Sequence, residues 1–125
     1  MTAMLTGAEP QLFVADIEAS CRFFVDKLGF EVVFTYGTPP YYGQVRRDAA
    51  RLNLRRVDAP VMDPARRDSE EWLAATITDA AALFASVEAA GGEFARRLGT
   101  EPWGARTFIV RDPDGNLIYF AGPGH

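Results

Sequence analysis

This 125-residue chain has a single cysteine, Cys21, and a single histidine, His125. One cysteine cannot close an intramolecular disulfide, which fits a reducing compartment, so a cytoplasmic location is expected. Cys21 lies among apolar residues on an expected helix, with His125 far off in sequence, so it reads as a buried structural thiol and not a nucleophile. No apolar run approaches the ~20 residues of a membrane span. Residues 1–10 lack the basic-then-apolar pattern of a signal peptide. Excess positive charge is missing as well. The formal net charge is −4 at pH 7, a sign that repels phosphate backbones, so no nucleic-acid partner is expected. No Ser–His or Cys–His pairing and no phosphate-cradling glycine loop is present.

The composition, 48% hydrophobic and 24% charged, is that of a globular domain and argues against disorder. A chain of this length buries roughly two thirds of its unfolded surface, enough for one domain. Leu12 to Ala15 reads as a short strand. Asp16 follows as a helix N-cap, and Ile17, Cys21, Phe24 and Leu28 form an apolar stripe that ends at Gly29. Glu31 to Tyr36 is the next strand. Gly37-Thr38-Pro39-Pro40 breaks it, and Tyr42 to Arg47 and Arg51 to Val57 form a hairpin. The segment from Asp58 to Glu71 is rich in Asp, Pro and Arg without periodicity, and reads as a surface linker.

The pattern then starts again. Leu73 to Thr78 is a strand, and Asp79 caps a helix carrying Leu83, Val87 and Ala90 that stops at Gly91-Gly92. Glu93 to Arg97 reads as a short strand. Thr107 to Arg111 and Leu117 to Phe120 flank the turn Asp112-Pro113-Asp114-Gly115-Asn116. The two capping aspartates are 79 − 16 = 63 positions apart, and the two terminating glycines are 92 − 29 = 63 apart. That common spacing suggests an internal duplication. The expected organisation is one domain over residues 1–125, with a first module at about 9–57, a linker at about 58–71 and a second module at about 72–122.

Three segments carry a family resemblance. Phe13-Val14-Ala15-Asp16-Ile17-Glu18-Ala19-Ser20, continuing to Phe23-Phe24 and Leu28-Gly29-Phe30, resembles the opening strand, capped helix and Leu-Gly-Phe stop of the vicinal oxygen chelate superfamily, which includes glyoxalases, bleomycin-resistance proteins and dioxygenases. Asp112-Pro113-Asp114-Gly115-Asn116-Leu117-Ile118 resembles its closing hairpin. Glu101-Pro102-Trp103-Gly104, with Arg106 and Phe108, is similar to the bleomycin-resistance branch. The resemblance covers nearly the whole chain and is weakest from Asp58 to Glu71. It implies an α+β fold of two βαβββ modules whose curved sheets form a cup around a small-molecule ligand, and it implies a homodimer.

Enzymes of this superfamily hold a divalent metal with His, Glu or Gln on the first and last strands of each module. Those positions fall here on Glu9, Asn53, Leu73 and Tyr119. Glu9 can ligate, Asn53 is a poor neutral donor, Leu73 has no donor, and Tyr119 ligates only as a phenolate. Glu71 lies two positions from Leu73 on the same face. No metal site, no cofactor and no catalytic residue is therefore expected. The alternative is a metal-dependent lyase, isomerase or dioxygenase of the same superfamily, with an altered site built around Glu9.

The remaining candidates suit binding. Phe34 and Tyr36 alternate on one strand and face the same side, Tyr41 and Tyr42 open the next strand, and Trp103 sits in the loop before the last hairpin. Flat rings with polar tips suit a large, planar, partly polar ligand. Asn53 and Tyr119 are expected inside the cup as hydrogen-bonding groups. Arg106 is expected either to orient a ligand or to pair with a surface carboxylate. The expected function is sequestration of an antibiotic or aromatic metabolite, and the acidic chain gives slight support to a cationic glycopeptide.

Overall fold

A computed structural model describes residues 2–59 and 72–124. The first half contains β1 (Gln11–Val14), α1 (Ile17–Leu28), β2 (Glu31–Tyr36), β3 (Tyr42–Arg47) and β4 (Ala50–Arg56). The second contains β5 (Trp72–Thr76), α2 (Ala80–Ala89), β6 (Glu93–Thr100), β7 (Arg106–Arg111) and β8 (Leu117–Gly122). The sheets have matching order, β1-β4-β3-β2 and β5-β8-β7-β6. In each, the first strand runs parallel to the last and the other pairs are antiparallel. This is the expected α+β architecture of two βαβββ units.

Local chemistry sets both helices in the same way. Asp16 is extended (φ −143°), and its Oδ1 accepts from the Ala19 N–H at 3.1 Å. Asp79 repeats this with the Ala82 N–H at 3.0 Å. Each carboxylate satisfies an otherwise unpaired donor of the first turn. Gly29 (φ +71°) takes the left-handed conformation that turns the chain out of α1, and Phe30 N–H then donates to Phe24 O at 2.9 Å.

The buried stripe Ile17, Cys21, Phe24 and Leu28 joins Leu83 and Val87 of α2 and the helix-side residues of both sheets in one core. From the second sheet, Phe108 stacks on Phe120 at 5.1 Å between ring centres and meets Phe84 of α2 edge-on at 5.5 Å. The halves are also tied by polar contacts. Lys27 Nζ donates to Ala90 O at the end of α2 (2.7 Å), and Asn116 Nδ2 donates to Phe13 O on β1 (3.1 Å). The Ala15 N–H donates to Asp114 Oδ1 at 2.9 Å.

Asp112 organises the turn that makes the last two contacts. Its Oδ1 accepts from the backbone N–H groups of Asp114 and Asn116 at 2.9 and 2.7 Å, and its Oδ2 accepts from Asn116 Nδ2 at 3.0 Å. Burial nevertheless pushes its carboxyl up to about 6, because desolvation of the charge outweighs donation from Asn116.

Several strand ends differ from the sequence pattern, β8 for example running on to Gly122. β4 begins at Ala50, because Asp48 adopts φ +52° and tightens the turn so that Arg47 pairs with Ala50. β6 continues to Thr100, with register shifts at Phe94/Arg96 and Arg96/Gly99 that hide its alternation. Of the expected linker, residues 60–71 lie outside the described residues, as does His125. No helix among the described residues is long and apolar enough to cross a membrane.

Candidate functional site

Strand alternation gives each sheet a helix side and an open side. In the first sheet, Leu12, Val14, Val45, Leu52 and Leu54 face the helices and are buried. Gly43 belongs to that side, where a Cβ would come within 3.3 Å of Ile17 Cγ2. The intervening residues form the open face. Register pairs Gln11 with Asn53, Phe13 with Arg55, Gln44 with Asn53 and Phe34, and Tyr42 with Arg55 and Tyr36. The bulge between Val32 and Phe34 brings Phe34 onto this face beside Tyr42, with ring centres 5.9 Å apart.

Four expected residues, Phe34, Tyr36, Tyr42 and Asn53, therefore share one face of the first sheet. Tyr41 packs edge-on against Tyr36 at 5.6 Å. Phe34, Tyr36 and Tyr41 are 41%, 64% and 52% exposed, so these rings do not serve the core. Tyr119 lies on the corresponding face of the second sheet, opposite Ile109 and Ala74. The Arg96 guanidinium lies 5.8 Å from its ring centre. Trp103 is 71% exposed in the turn closed by Glu101 and Ala105. Arg106 pairs with Gly122 and alternates with Phe108, which places it on the helix side. Its Nε is buried with no hydrogen-bond partner among the described residues.

A polar network that the sequence reading did not find lies at the middle of the first face. Gln44, 7% exposed, donates through Nε2 to Glu9 Oε1 at 3.1 Å and to Asn53 Oδ1 at 2.9 Å. Its Oε1 accepts from Arg51 Nη1 at 3.0 Å. On the second face, Glu101 Oε1 accepts from Arg96 Nη2 and from Thr107 Oγ1, at 2.5 and 2.8 Å. The available signal was the alternation of polar residues along β3 and β4, with Gln44, Arg51, Asn53 and Arg55 at every second position.

The four metal-ligand positions do not make a donor set. Leu73 packs against the hydrophobic core. Asn53 Oδ1 is already engaged by Gln44, and Tyr119 has a guanidinium beside its ring, which disfavours a second cation there. Glu9 is directed to Gln44 and, at 3.4 Å, to Asn53 Nδ2. Among the described residues no group of three or more His, Cys, Asp or Glu side chains is placed to hold an ion. Glu71 lies outside the described residues. Cys21 is buried and its thiol is pushed up by burial first and by Glu18 second, with Arg22 opposing, so it remains protonated.

Residues 6–120 match the family model of the Glyoxalase/Bleomycin resistance protein/Dioxygenase superfamily. The fold is similar to a bleomycin-binding protein from bleomycin-producing Streptomyces verticillus, solved with copper(II)-bleomycin. The two are 30% identical, with 97% of this chain and 98% of that one covered at a TM-score of 0.74. A bleomycin resistance determinant encoded on the transposon Tn5 is 20% identical over 97% and 100% of the two chains, with a TM-score of 0.78. TioX from Micromonospora sp. ML1 is 21% identical over 94% and 99%, with a TM-score of 0.73. No curated protein matches the chain.

Proposed function

The chain belongs to the Glyoxalase/Bleomycin resistance protein/Dioxygenase superfamily, and from that premise we propose that it is a small-molecule-binding protein of the bleomycin-resistance type. It holds an antibiotic or aromatic metabolite stoichiometrically and needs no metal to do so. One observation carries this reading: the open face of the first sheet presents Phe34, Tyr36 and Tyr42 beside the Gln44–Asn53 amide pair. Such a face stacks on a planar ligand and hydrogen-bonds its polar edge. The 30% identity to a bleomycin-binding protein supports the same class.

The proposed assembly is a cytoplasmic homodimer without nucleic-acid or membrane partners. In it the open faces of the two halves, with Trp103 and Tyr119, enclose the ligand. Rings exposed as these are gain most from such enclosure, since burying apolar surface contributes about 25 cal/mol per Å².

The test is a titration of chelator-treated protein with bleomycin-type drugs and planar aromatics, followed by tryptophan emission. Saturable binding with the ligand recovered unchanged is expected, and Phe34→Ala with Tyr42→Ala weakens it about tenfold or more. Chemical conversion of the ligand, or no binding across the panel, contradicts the reading.

A further inference from the structure

The first open face differs in charge from the chain as a whole. It carries Arg46, Arg51 and Arg55 against Glu9 and Glu31, a balance of 3 − 2 = +1, whereas the whole chain carries −4. Arg46 is neutralised by its ion pair with Glu31. Glu9 is drawn to Gln44 and Asn53, in the middle of the face. Among the described residues the second open face adds no net charge, because Arg96 pairs with Glu101 and Arg111 with Glu93. The described residues of the two faces together therefore carry a positive balance.

Arg55 is the informative residue. Register sets it between Phe13 on β1 and Tyr42 on β3, and Tyr42 in turn pairs with Tyr36. With Phe34 against Tyr42, Arg55 stands at the aromatic end of the face. Directly opposed residues in a sheet have Cβ atoms about 4.5–5.5 Å apart, so its side chain is long enough to meet a ligand stacked on those rings. Among the described residues, no carboxylate pairs with Arg55. Nor does it lie over a ring, as Arg96 and Arg97 do. Four positions back on the same side of the strand, Arg51 spends one nitrogen on Gln44. A planar guanidinium beside flat rings is matched by a flat ligand bearing a carboxylate, sulfonate or phosphate, because its donor fork binds such groups with two parallel hydrogen bonds.

Resting on the small-molecule reading above, we infer that this cup selects an aromatic anion, with Arg55 as the specificity-determining residue. The prediction runs opposite to the one that overall charge suggests. Net charge acts at long range and is screened by salt within about 8–10 Å, whereas Arg55 meets the ligand at contact.

The experiment uses two probes that share one ring system and differ in charge, 2-naphthoate and 2-naphthylmethylammonium. Each is titrated calorimetrically into the full chain in chelator at pH 7.5. The expected result is naphthoate binding about tenfold or more tighter, the scale of one charge-assisted contact. Arg55→Gln abolishes the preference and Arg55→Lys keeps part of it. Arg22→Gln, exposed on α1, leaves it intact. Arg55 is exposed, so unchanged urea midpoints are expected and serve to separate binding from folding. Equal affinity, tighter binding of the amine, or a preference that survives Arg55→Gln overturns the inference and leaves small-molecule binding standing. Failure of both probes to bind overturns the inference, and the small-molecule reading itself is overturned only if the wider panel above also fails to bind.

Discussion

Gln44 holds together more of the open face than any side chain recognisable from the sequence. Replacing it with Leu leaves Asn53 Oδ1 and Arg51 Nη1 without their partner. Because Gln44 is buried, the loss should cost about 1–3 kcal/mol of stability, read from urea denaturation. An unchanged midpoint would show that water replaces the network without penalty. Asp112 gives a pH dependence whose sign follows from its raised carboxyl, at about 6 against 3.8 for the ordinary group. Between those values the folded chain binds the proton more tightly, so this contribution is full below about 3.8 and is lost as pH rises through about 6. The chain should therefore be roughly 1–2 kcal/mol more stable at pH 5 than at pH 7.5 from this group, and Asp112→Asn should remove that increment. Comparing urea midpoints of the two proteins at both pH values measures it, and an identical pH response would contradict it. At this scale the shared side of Phe34 and Tyr36 was legible, because they alternate on one strand, whereas the side of Tyr42 came only from its register with Tyr36. Gln44 and Arg55 were not, because an isolated polar residue on a strand reads as a solvated one until register shows what it faces. Arg106 was read as ligand-facing or surface-paired, yet its pairing with Gly122 puts it on the helix side.

The helices show why so much of the fold could be read in advance. Asp16 and Asp79 each cap by one short-range hydrogen bond, and such local rules do not depend on the rest of the chain. Asp16→Ala and Asp79→Ala should each lower stability by about 0.5–2 kcal/mol, while the Asn variants keep most of it. Equilibrium denaturation checks this, and equal loss in the Asn and Ala variants would remove the capping explanation. Strand ends were read less well for a physical reason. The extension of β6 to Thr100 depends on two register shifts that accommodate Arg96, Arg97 and Gly99 against β7, a tertiary outcome without a periodic signature. Likewise β4 starts at Ala50 only because Asp48 takes a left-handed conformation.

For the whole molecule, the common 63-residue spacing suggested an internal duplication and the family resemblance implied two βαβββ units, and the two sheets have matching strand order. The docking of the second half's last turn on β1, through Asn116 to Phe13 O and Asp114 to the Ala15 N–H, was not legible, since it joins residues about 100 positions apart. The proposed dimer predicts sedimentation at about twice the 13.7 kDa chain mass, and a monomer at all concentrations would contradict it. The central claim is that ligand binding here is independent of metal, because Leu73, Asn53 and Tyr119 do not supply a metal's donors. The most direct test is one calorimetric titration with an aromatic ligand, performed in excess chelator and repeated with added nickel, zinc, manganese or ferrous iron. The same saturable affinity in every condition is predicted. Binding or turnover that appears only when a metal is supplied would contradict it.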